Sequence, residues 1–595
     1  MLEQKLVADR NGSVTRISGM WHISRRSSNV DNFLHSRVVE SEDSNSLLLK
    51  TWSVPALATH PYYEGTRYRS TVMTTGGVVS SAHPLASYTG VKVLESGGSA
   101  IDAAIATNAV LAVTQPHQCG LGGDVFYITY MNEEGHVKFL NGSGRSAKRA
   151  TIESYSQRGL SRIPSKGALA CIMVPGCVGA WHELHQKYGS KNFRDLLEPA
   201  SNYAAKGFPV SHSLSAAIRA QVTRLQEFTE WRRIFMPERE APQPGELLIQ
   251  KDLAWTLRKI GDEGRNAFYK GELSEKIAGT VSSQGGLLST EDLSSHRSDW
   301  SEPVHTSYRG FEVYETAPNS QGMSALIALN IVEKYDLRGL GFLSAEHVQL
   351  LVEATKLAYE DRAKFIGDPD FMDVPTELLL SKEYSSKKTK RTTSYTTHER
   401  PSLDNLGRDT TYFAVADKNG NCVSCIQSLY ETFGSGIVAE GTGIVLQNRG
   451  SYFSLDSKHH NRLEPRKRTF HTLSASLTLR NDEPFLVFGC MGGDGQPQTH
   501  LQVFTSIFDF NMDIQEAIEA PRWFLPGTIY EPPSGLHVEC RFPADTVHAL
   551  RQQGYVVVVE DELWNDAGHA QGILRSHGVM MGGADPRGDG AAIGY

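Results

Sequence analysis

The stretch Asp409 to Gly436 reads DTTYFAVADKNGNCVSCIQSLYETFGSG. Thr410 to Ala416 is rich in strand-forming residues, Asp417-Lys418-Asn419-Gly420 is a turn carrying an Asn-Gly pair, and Asn421 to Leu429 is a second apolar-rich strand, so the spacing predicts a β-hairpin. Two threonines stand at the mouth of the first strand, directly after an acid, and a glycine-rich turn, Phe433-Gly434-Ser435-Gly436, closes the second. A threonine hydroxyl is a poor nucleophile without a base beside it; making the threonine N-terminal lets its own α-amine take the proton. In a continuous chain that requires cutting the Asp409–Thr410 bond, which the same hydroxyl can do by attacking the carbonyl of Asp409. Read alone, the stretch is more readily a surface hairpin whose Thr-Thr pair only reflects strand propensity.

Composition narrows the classes. The chain has 595 residues, 40% hydrophobic and 21% charged, long enough for a sizeable core and for more than one domain. A formal charge of −8 leaves no basic footprint, so nucleic acid is excluded as a partner. The seven cysteines are scattered and odd in number, which speaks against a disulfide framework. Cys422 and Cys425 lie three apart within one strand and point to opposite faces, so they read as strand filler and not as a metal or redox pair. No apolar run reaches the ~18 residues of a membrane span, and the N-terminus lacks a secretory apolar core, so no membrane partner is expected and the default compartment is cytoplasmic.

Along the chain, residues 1 to about 71 are polar and unpatterned, an extension in which Leu47 to Leu49 and Trp52 offer the only packing patch. His83 to Glu95 reads as a helix ended by Gly97-Gly98, and Ile101 to Val113 as a second, alanine-rich helix ended by Pro116. Gly120-Leu121-Gly122-Gly123 lacks the Lys-Ser/Thr end and following helix of a phosphate loop and reads as a tight turn. Residues 180 to 300 are helix-rich and carry no evident chemistry. The Glu-x-x-Lys and Asp-Arg pairs of EATKLAYEDRAKF (Glu353 to Phe365) read as a helix face tying layers together. Lys382 to Arg400 is basic and rich in Ser and Thr, and is expected to be an exposed tail. A second hairpin turns at Asn481-Asp482 and ends in Gly492-Gly493; a glycine pair there can bring backbone N–H donors close to a tetrahedral oxyanion. No internal repeat and no G-x-S-x-G elbow is found.

DTTYFAVADKNGN followed by FGSGIV resembles the start of the small subunit in the γ-glutamyltranspeptidase family of N-terminal-nucleophile hydrolases, where a TT-x-[FY]-x-V-x-D-x-x-G-N pattern begins at the catalytic threonine. SGGSAIDAAIATNAVLAVTQPHQCGLGGDVFYITY, MGGDGQPQT and the closing GGADPRGDGAAIGY extend the resemblance from about residue 72 to 595. It implies an α+β fold, a four-layer αββα sandwich built jointly by a large segment (72–409) and a small one (410–595). It also implies Thr410 as nucleophile, Ser428 as the hydroxyl that hydrogen-bonds it, and Gly492 and Gly493 as the oxyanion hole. Arg145, in NGSGRSAKRAT, is the candidate for a substrate-carboxylate arginine, with a gap of about two positions; a solvated loop arginine is the alternative.

The departures from glutathione enzymes carry information. Tyr430 stands where asparagine is usual, Arg449 and Tyr452 replace an amide and an aspartate, and His471-Thr472 replace a serine pair. The acid for a substrate ammonium is missing and a cation has been added, so these motifs resemble a side branch that includes oxamate amidohydrolases and cephalosporin-acylase-type enzymes. The expected activity is hydrolysis, through an acyl-enzyme, of a small carboxylate-bearing amide such as oxamate, with Arg449, Tyr430, Tyr452, His471, Thr472 and Arg145 lining the acyl pocket and no metal or organic cofactor. Glutathione hydrolysis or γ-glutamyl transfer is the alternative, and an unprocessed scaffold a further one. The cut would leave a small chain of 595 − 409 = 186 residues associated with the large one, and a homodimer is left open.

Overall fold

The computed structural model describes residues 68–389, 409–531 and 535–595. The expected N-terminal extension therefore lies almost wholly outside the described residues, as do Leu47 to Leu49 and Trp52. Fourteen strands form two seven-stranded sheets. In chain order they are β1 (Val72–Thr74), β2 (Gly77–Ser81), β3 (Asp124–Met131), β4 (His136–Gly142), β5 (Asp299–Ser301), β6 (Val304–Tyr308), β7 (Phe311–Glu315), β8 (Asp409–Asp417), β9 (Cys422–Tyr430), β10 (Ala475–Arg480), β11 (Glu483–Cys490), β12 (Ala570–Ser576), β13 (Val579–Ala584) and β14 (Ala591–Gly594). The first sheet runs β14-β2-β8-β9-β3-β4-β5 and the second β1-β13-β12-β11-β10-β7-β6.

The predicted hairpin is the pair β8–β9, and it occupies the centre of the first sheet, flanked by β2 and β3. Its residues are buried on both faces, which explains why the stretch is apolar-rich on both and not alternating. Tyr412, Ala414 and Ala416 face the second sheet with Leu477, Val487 and Ile573, while Phe413 and Val415 face the helices. Cys422 lies on the first of these faces and Cys425 on the second, so the strand parity that separates the two thiols is seen directly.

Helices close both outer surfaces. On the first sheet lie α1 (Pro84–Glu95) and α2 (Ala100–Thr114); α3 (Phe193–Lys206) packs on α2, α4 (His212–Leu225) joins the same core, and α5 (Lys251–Glu263) packs on α3. His83 caps α1 and Pro84 occupies its first turn, where a missing N–H costs nothing; a Ser99/Asp102 capping box starts α2. Every residue of α2 is buried, because it is wedged between α1, α3 and strand β8. On the second sheet lie α6 (Met323–Val332), α9 (Gln496–Phe508) and α10 (Ile514–Glu519), with α7 (Ala345–Phe365) packed on α6 and α9, giving the four-layer αββα sandwich.

Between α7 and the hairpin, Lys382–Thr389 forms a helix, α8, docked on α6, and this corrects the expected exposed tail for those residues. Lys388 is buried and pairs with Asp361 at 2.5 Å, and Lys382 pairs with Glu333 at 2.6 Å. Residues 390–400 lie outside the described residues. The Asp361-Arg362 and Glu353–Lys356 pairs of α7 serve the layer-tying role expected of them: Glu353 and Lys356 bond each other at 2.9 Å, and Arg362 reaches across to residues 321 and 494. Among the described residues no helix is long and apolar enough to cross a membrane.

Candidate active site

The end of the central hairpin is irregular where the chemistry is expected. Asp409 stands opposite Tyr430 and Thr411 opposite Gln427, so two residues, Ser428 and Leu429, face the single Thr410. Such a bulge re-aims side chains at a strand end, and the chain leaves it through Tyr430 at φ +83, a conformation that L-residues rarely adopt. Thr410 is 1% exposed, and its Oγ1 donates to Ser428 Oγ at 3.2 Å. Ser428 Oγ donates to the carbonyl oxygen of Asp409 at 2.8 Å and accepts from Tyr430 N–H at 2.7 Å. A hydroxyl has one proton and two lone pairs. The Ser428 hydroxyl is thus fully used, with its proton on the carbonyl that precedes the threonine.

The glycine pair ends β11. Gly492 has φ +138 and Gly493 φ +55, and the turn closes with Gly495 N–H on Gly492 C=O at 3.0 Å before α9 begins. Neither Gly492 N–H nor Gly493 N–H donates to another group among the described residues. The turn is held from behind: Gln321 Nε2 donates to Gly493 C=O at 2.8 Å, and Gln321 Oε1 in turn accepts from Arg362 Nη1 at 2.8 Å.

Five of the six expected pocket residues come together. Arg449 donates from Nη1 to Thr472 Oγ1 at 2.9 Å and lies over the Tyr430 ring at 4.2 Å; its Nη2 has no partner among the described residues. Tyr452 meets Tyr430 edge-on at 5.5 Å and stacks on Phe470 at 5.3 Å. Burial pulls the Arg449 guanidinium below its usual range, against the opposing pull of Tyr430 and Asp124, and pushes both tyrosine hydroxyls well up. His471 accepts from Leu473 N–H at Nδ1 (3.2 Å), so its Nε2 carries the proton given to Asp124 Oδ2 at 3.2 Å. Burial lowers this imidazole to about 4, and it acts as a neutral donor. A cavity of about 520 Å³ opens outside Tyr430 and Tyr452 and is lined also by Glu431, Ser451, Tyr530 and Arg162.

Arg145 is the exception. It is held by Asp299 and Asp370, each at 3.1 Å, and lines a different cavity of about 290 Å³ with Arg297 and Arg466. Its neighbour Gly144 serves the site through the backbone instead, its N–H bonding Asp124 at 2.9 Å. The structure therefore does not bring Arg145 to the pocket, because Asp299 and Asp370 hold its guanidinium at the other cavity.

One buried acid stands beside this cluster that the sequence reading did not single out. Asp494, between Gly493 and Gly495, accepts from Tyr452 OH at 2.6 Å and lies 3.5 Å from Arg362 Nη1, the Asp494 and Arg362 side chains both fully buried. Its Oδ2 has no partner among the described residues, and burial raises its carboxyl above the usual carboxylate range. In sequence this acid lies in MGGDGQPQT, flanked by glycines. The Gly120 to Gly123 turn is a close backbone approach: a Cβ on Gly122 would sit 2.0 Å from Val445 C=O.

The γ-glutamyltranspeptidase family model matches residues 86–595. The chain is 43% identical over 526 residues to the glutathione hydrolase-like YwrD proenzyme of Bacillus subtilis, covering 88% of this chain and 99% of that protein. It is 35% identical to the oxamate amidohydrolase proenzyme of Klebsiella pneumoniae, over 88% of this chain and all 100% of that one. Among solved structures, the cephalosporin acylase from Bacillus halodurans superposes with a TM-score of 0.83 at 38% identity, covering 90% of this chain and 98% of that one.

Proposed function

The chain belongs to the γ-glutamyltranspeptidase family and is an N-terminal-nucleophile amidohydrolase, and on that premise we propose that it matures by cutting itself between Asp409 and Thr410 and then hydrolyses a small carboxylate-bearing amide, oxamate-like in size and charge. The observation that carries the reading is the Thr410–Ser428–Asp409 geometry. Thr410 O–H points to Ser428 while Ser428 O–H points to the Asp409 carbonyl, so the nucleophile is aimed and the electrophile polarised by one hydroxyl.

In the mature enzyme the freed α-amine of Thr410 takes the proton from its own Oγ1 as that oxygen attacks the substrate carbonyl. Gly492 and Gly493 N–H groups receive the developing oxyanion, and Ser428 keeps the threonine oriented. The amine leaves with the proton, and water then attacks the ester to release the acid. Arg449, with its Nη2 unpartnered, receives the substrate carboxylate against the walls of Tyr430 and Tyr452. Thr472 and His471 fix that arginine's surroundings.

One observation favours a second reading, glutathione hydrolysis or γ-glutamyl transfer: the unpartnered Asp494 Oδ2 belongs to the same cluster as Arg449 and could accept from a substrate ammonium. Assaying oxamate and glutathione side by side separates the two. The prior test is the intact mass of wild type beside Thr410→Ala under denaturing conditions. Two fragments meeting at 409/410 in wild type and one uncut chain in the variant are expected; an uncut wild-type chain would overturn the proposal in favour of a scaffold.

A further inference from the structure

The loop of four residues after the bulge reaches back to the Asp409 side chain. Glu431 to Gly434 leave the sheet as a tight loop, with Phe433 at φ +58 and Gly434 at φ +53. The loop is fixed to the body from two sides. Arg224, near the C-terminal end of α4, pairs with Glu431 at 2.8 Å and donates to the carbonyls of Thr432 at 3.0 Å and Gly434 at 2.9 Å. The Phe433 ring is buried against Trp231 at 5.3 Å and Phe235 at 4.8 Å, and its N–H bonds His117 C=O at 2.8 Å. From this anchored loop the Thr432 hydroxyl donates to Asp409 Oδ2.

We propose that Thr432 is a positioning residue for self-cleavage, holding the Asp409 side chain so that its carbonyl stays on Ser428 and within reach of Thr410. This rests on the self-cutting reading above. In the step concerned, Thr410 Oγ1 bonds to the Asp409 carbonyl carbon and the Asp409–Thr410 C–N bond breaks. The hydroxyl proton ends on the threonine nitrogen, and water then hydrolyses the ester to a free Thr410 hydroxyl and an Asp409 α-carboxylate. Attack on a carbonyl one bond away along the same chain requires a geometry that an extended strand does not offer, and small losses of alignment are costly in such intramolecular steps. The contacts that hold Asp409 include sheet pairing with Tyr430, the Ser428 hydrogen bond on its carbonyl, and the Thr432 hydrogen bond on its carboxylate. The first two act on the backbone and leave rotation about the side-chain bonds open. The third closes the ring Asp409–Thr432–Arg224 onto helix α4. Once the bond is cut, Asp409 belongs to the other chain and takes no part in substrate hydrolysis.

The experiment follows the appearance of the cut small chain with time in freshly purified full-length precursor, for wild type, Thr432→Val, Thr432→Ser, Asp409→Ala and the Thr432→Val/Asp409→Ala pair. Loss of a hydrogen bond to a charged group predicts that Thr432→Val cuts about tenfold more slowly, with Thr432→Ser near wild type. The double variant should be no slower than the slower single, because both remove one contact. Turnover per mole of cut small chain and the melting temperature of Thr432→Val should match wild type. Cutting of Thr432→Val at the wild-type rate would overturn the inference while leaving the proposed function standing. Cutting, turnover and melting temperature falling together would overturn it in favour of a purely structural threonine. A wild-type chain that never cuts would remove the proposed function, and this inference with it.

Discussion

Replacing Arg449 by methionine separates binding from folding in a way the structure makes quantitative. The guanidinium is 1% exposed, makes one hydrogen bond, to a neutral hydroxyl, and has no carboxylate within 4.0 Å among the described residues. A charge kept in that condition is expensive, and exchanging buried ionic groups for apolar side chains of similar volume is often neutral or stabilising by about 1–4 kcal/mol. The Arg449→Met variant should therefore melt no lower than wild type, in spite of losing the stacking on Tyr430, which contributes on the order of 1–2 kcal/mol. Its cost should appear in catalysis. A charge-assisted hydrogen bond to a substrate carboxylate is worth about 1.5–3 kcal/mol, which corresponds to a loss of about 10- to 150-fold in kcat/KM for oxamate. The assay is steady-state ammonia release beside a thermal melt and a time course of self-cleavage. A fall of several degrees in melting temperature with parallel losses of cutting and turnover would refute the reasoning and make Arg449 a structural residue.

Gly492→Ala should lose about a hundredfold in turnover while still folding. The nearest atom to its new Cβ is 3.5 Å away, so the damage is backbone strain at φ +138 that shifts the oxyanion N–H, and unchanged turnover would exclude that N–H from the reaction. Thermal stability should fall as pH drops from 6.5 toward 4. His117, His347 and His471 are each lowered by burial from 6.5 to about 4, so the unfolded chain binds more protons than the folded one across that window and stability is recovered above it. Melting His347→Gln, remote from the site, should show a shallower acid slope than wild type; an identical slope would remove that histidine from the account.

The pairing of Thr410 with Ser428 was legible because the two are close in sequence. Thr410 and Ser428 belong to one hairpin, so a strand pairing alone brings them together, and the family pattern supplied the rest. What could not be read was the bulge that places two residues opposite Thr410, since Tyr430 at φ +83 violates local preference and is held there by the fold. Arg145 was misplaced because its alignment needed a gap, and in the structure two aspartates already hold it. Asp494 was overlooked for the opposite reason, a charged residue hidden in a turn read only for its glycines. The segment KEYSSKKT has no apolar stripe to announce a packed helix; α8 docks through ion pairs such as Lys388 with Asp361, to which hydrophobic periodicity is blind. By contrast, the parity of Cys422 and Cys425, and both helices flanking Gly97-Gly98, follow from local geometry alone and were read within a residue or so.

The order of strands in the first sheet has a thermodynamic consequence. Strands β14, β8 and β9 come from beyond the proposed cut, and β2, β3, β4 and β5 from before it, and they alternate, with β2 lying between β14 and β8. The last residue, Tyr595, is fastened to Gly76 and Gly77 by backbone hydrogen bonds at 2.8 Å and 3.2 Å. Neither fragment could therefore leave without tearing the central sheet, so separation and denaturation become the same event. Before the cut, refolding is a first-order process whose rate ignores protein concentration. After it, two fragments must find each other again, and dilution alone works against recovery. The proposed cut would thus change the molecularity of the folding reaction, and the lifetime of the mature enzyme would be governed by how slowly it unfolds and not by the equilibrium it could reach.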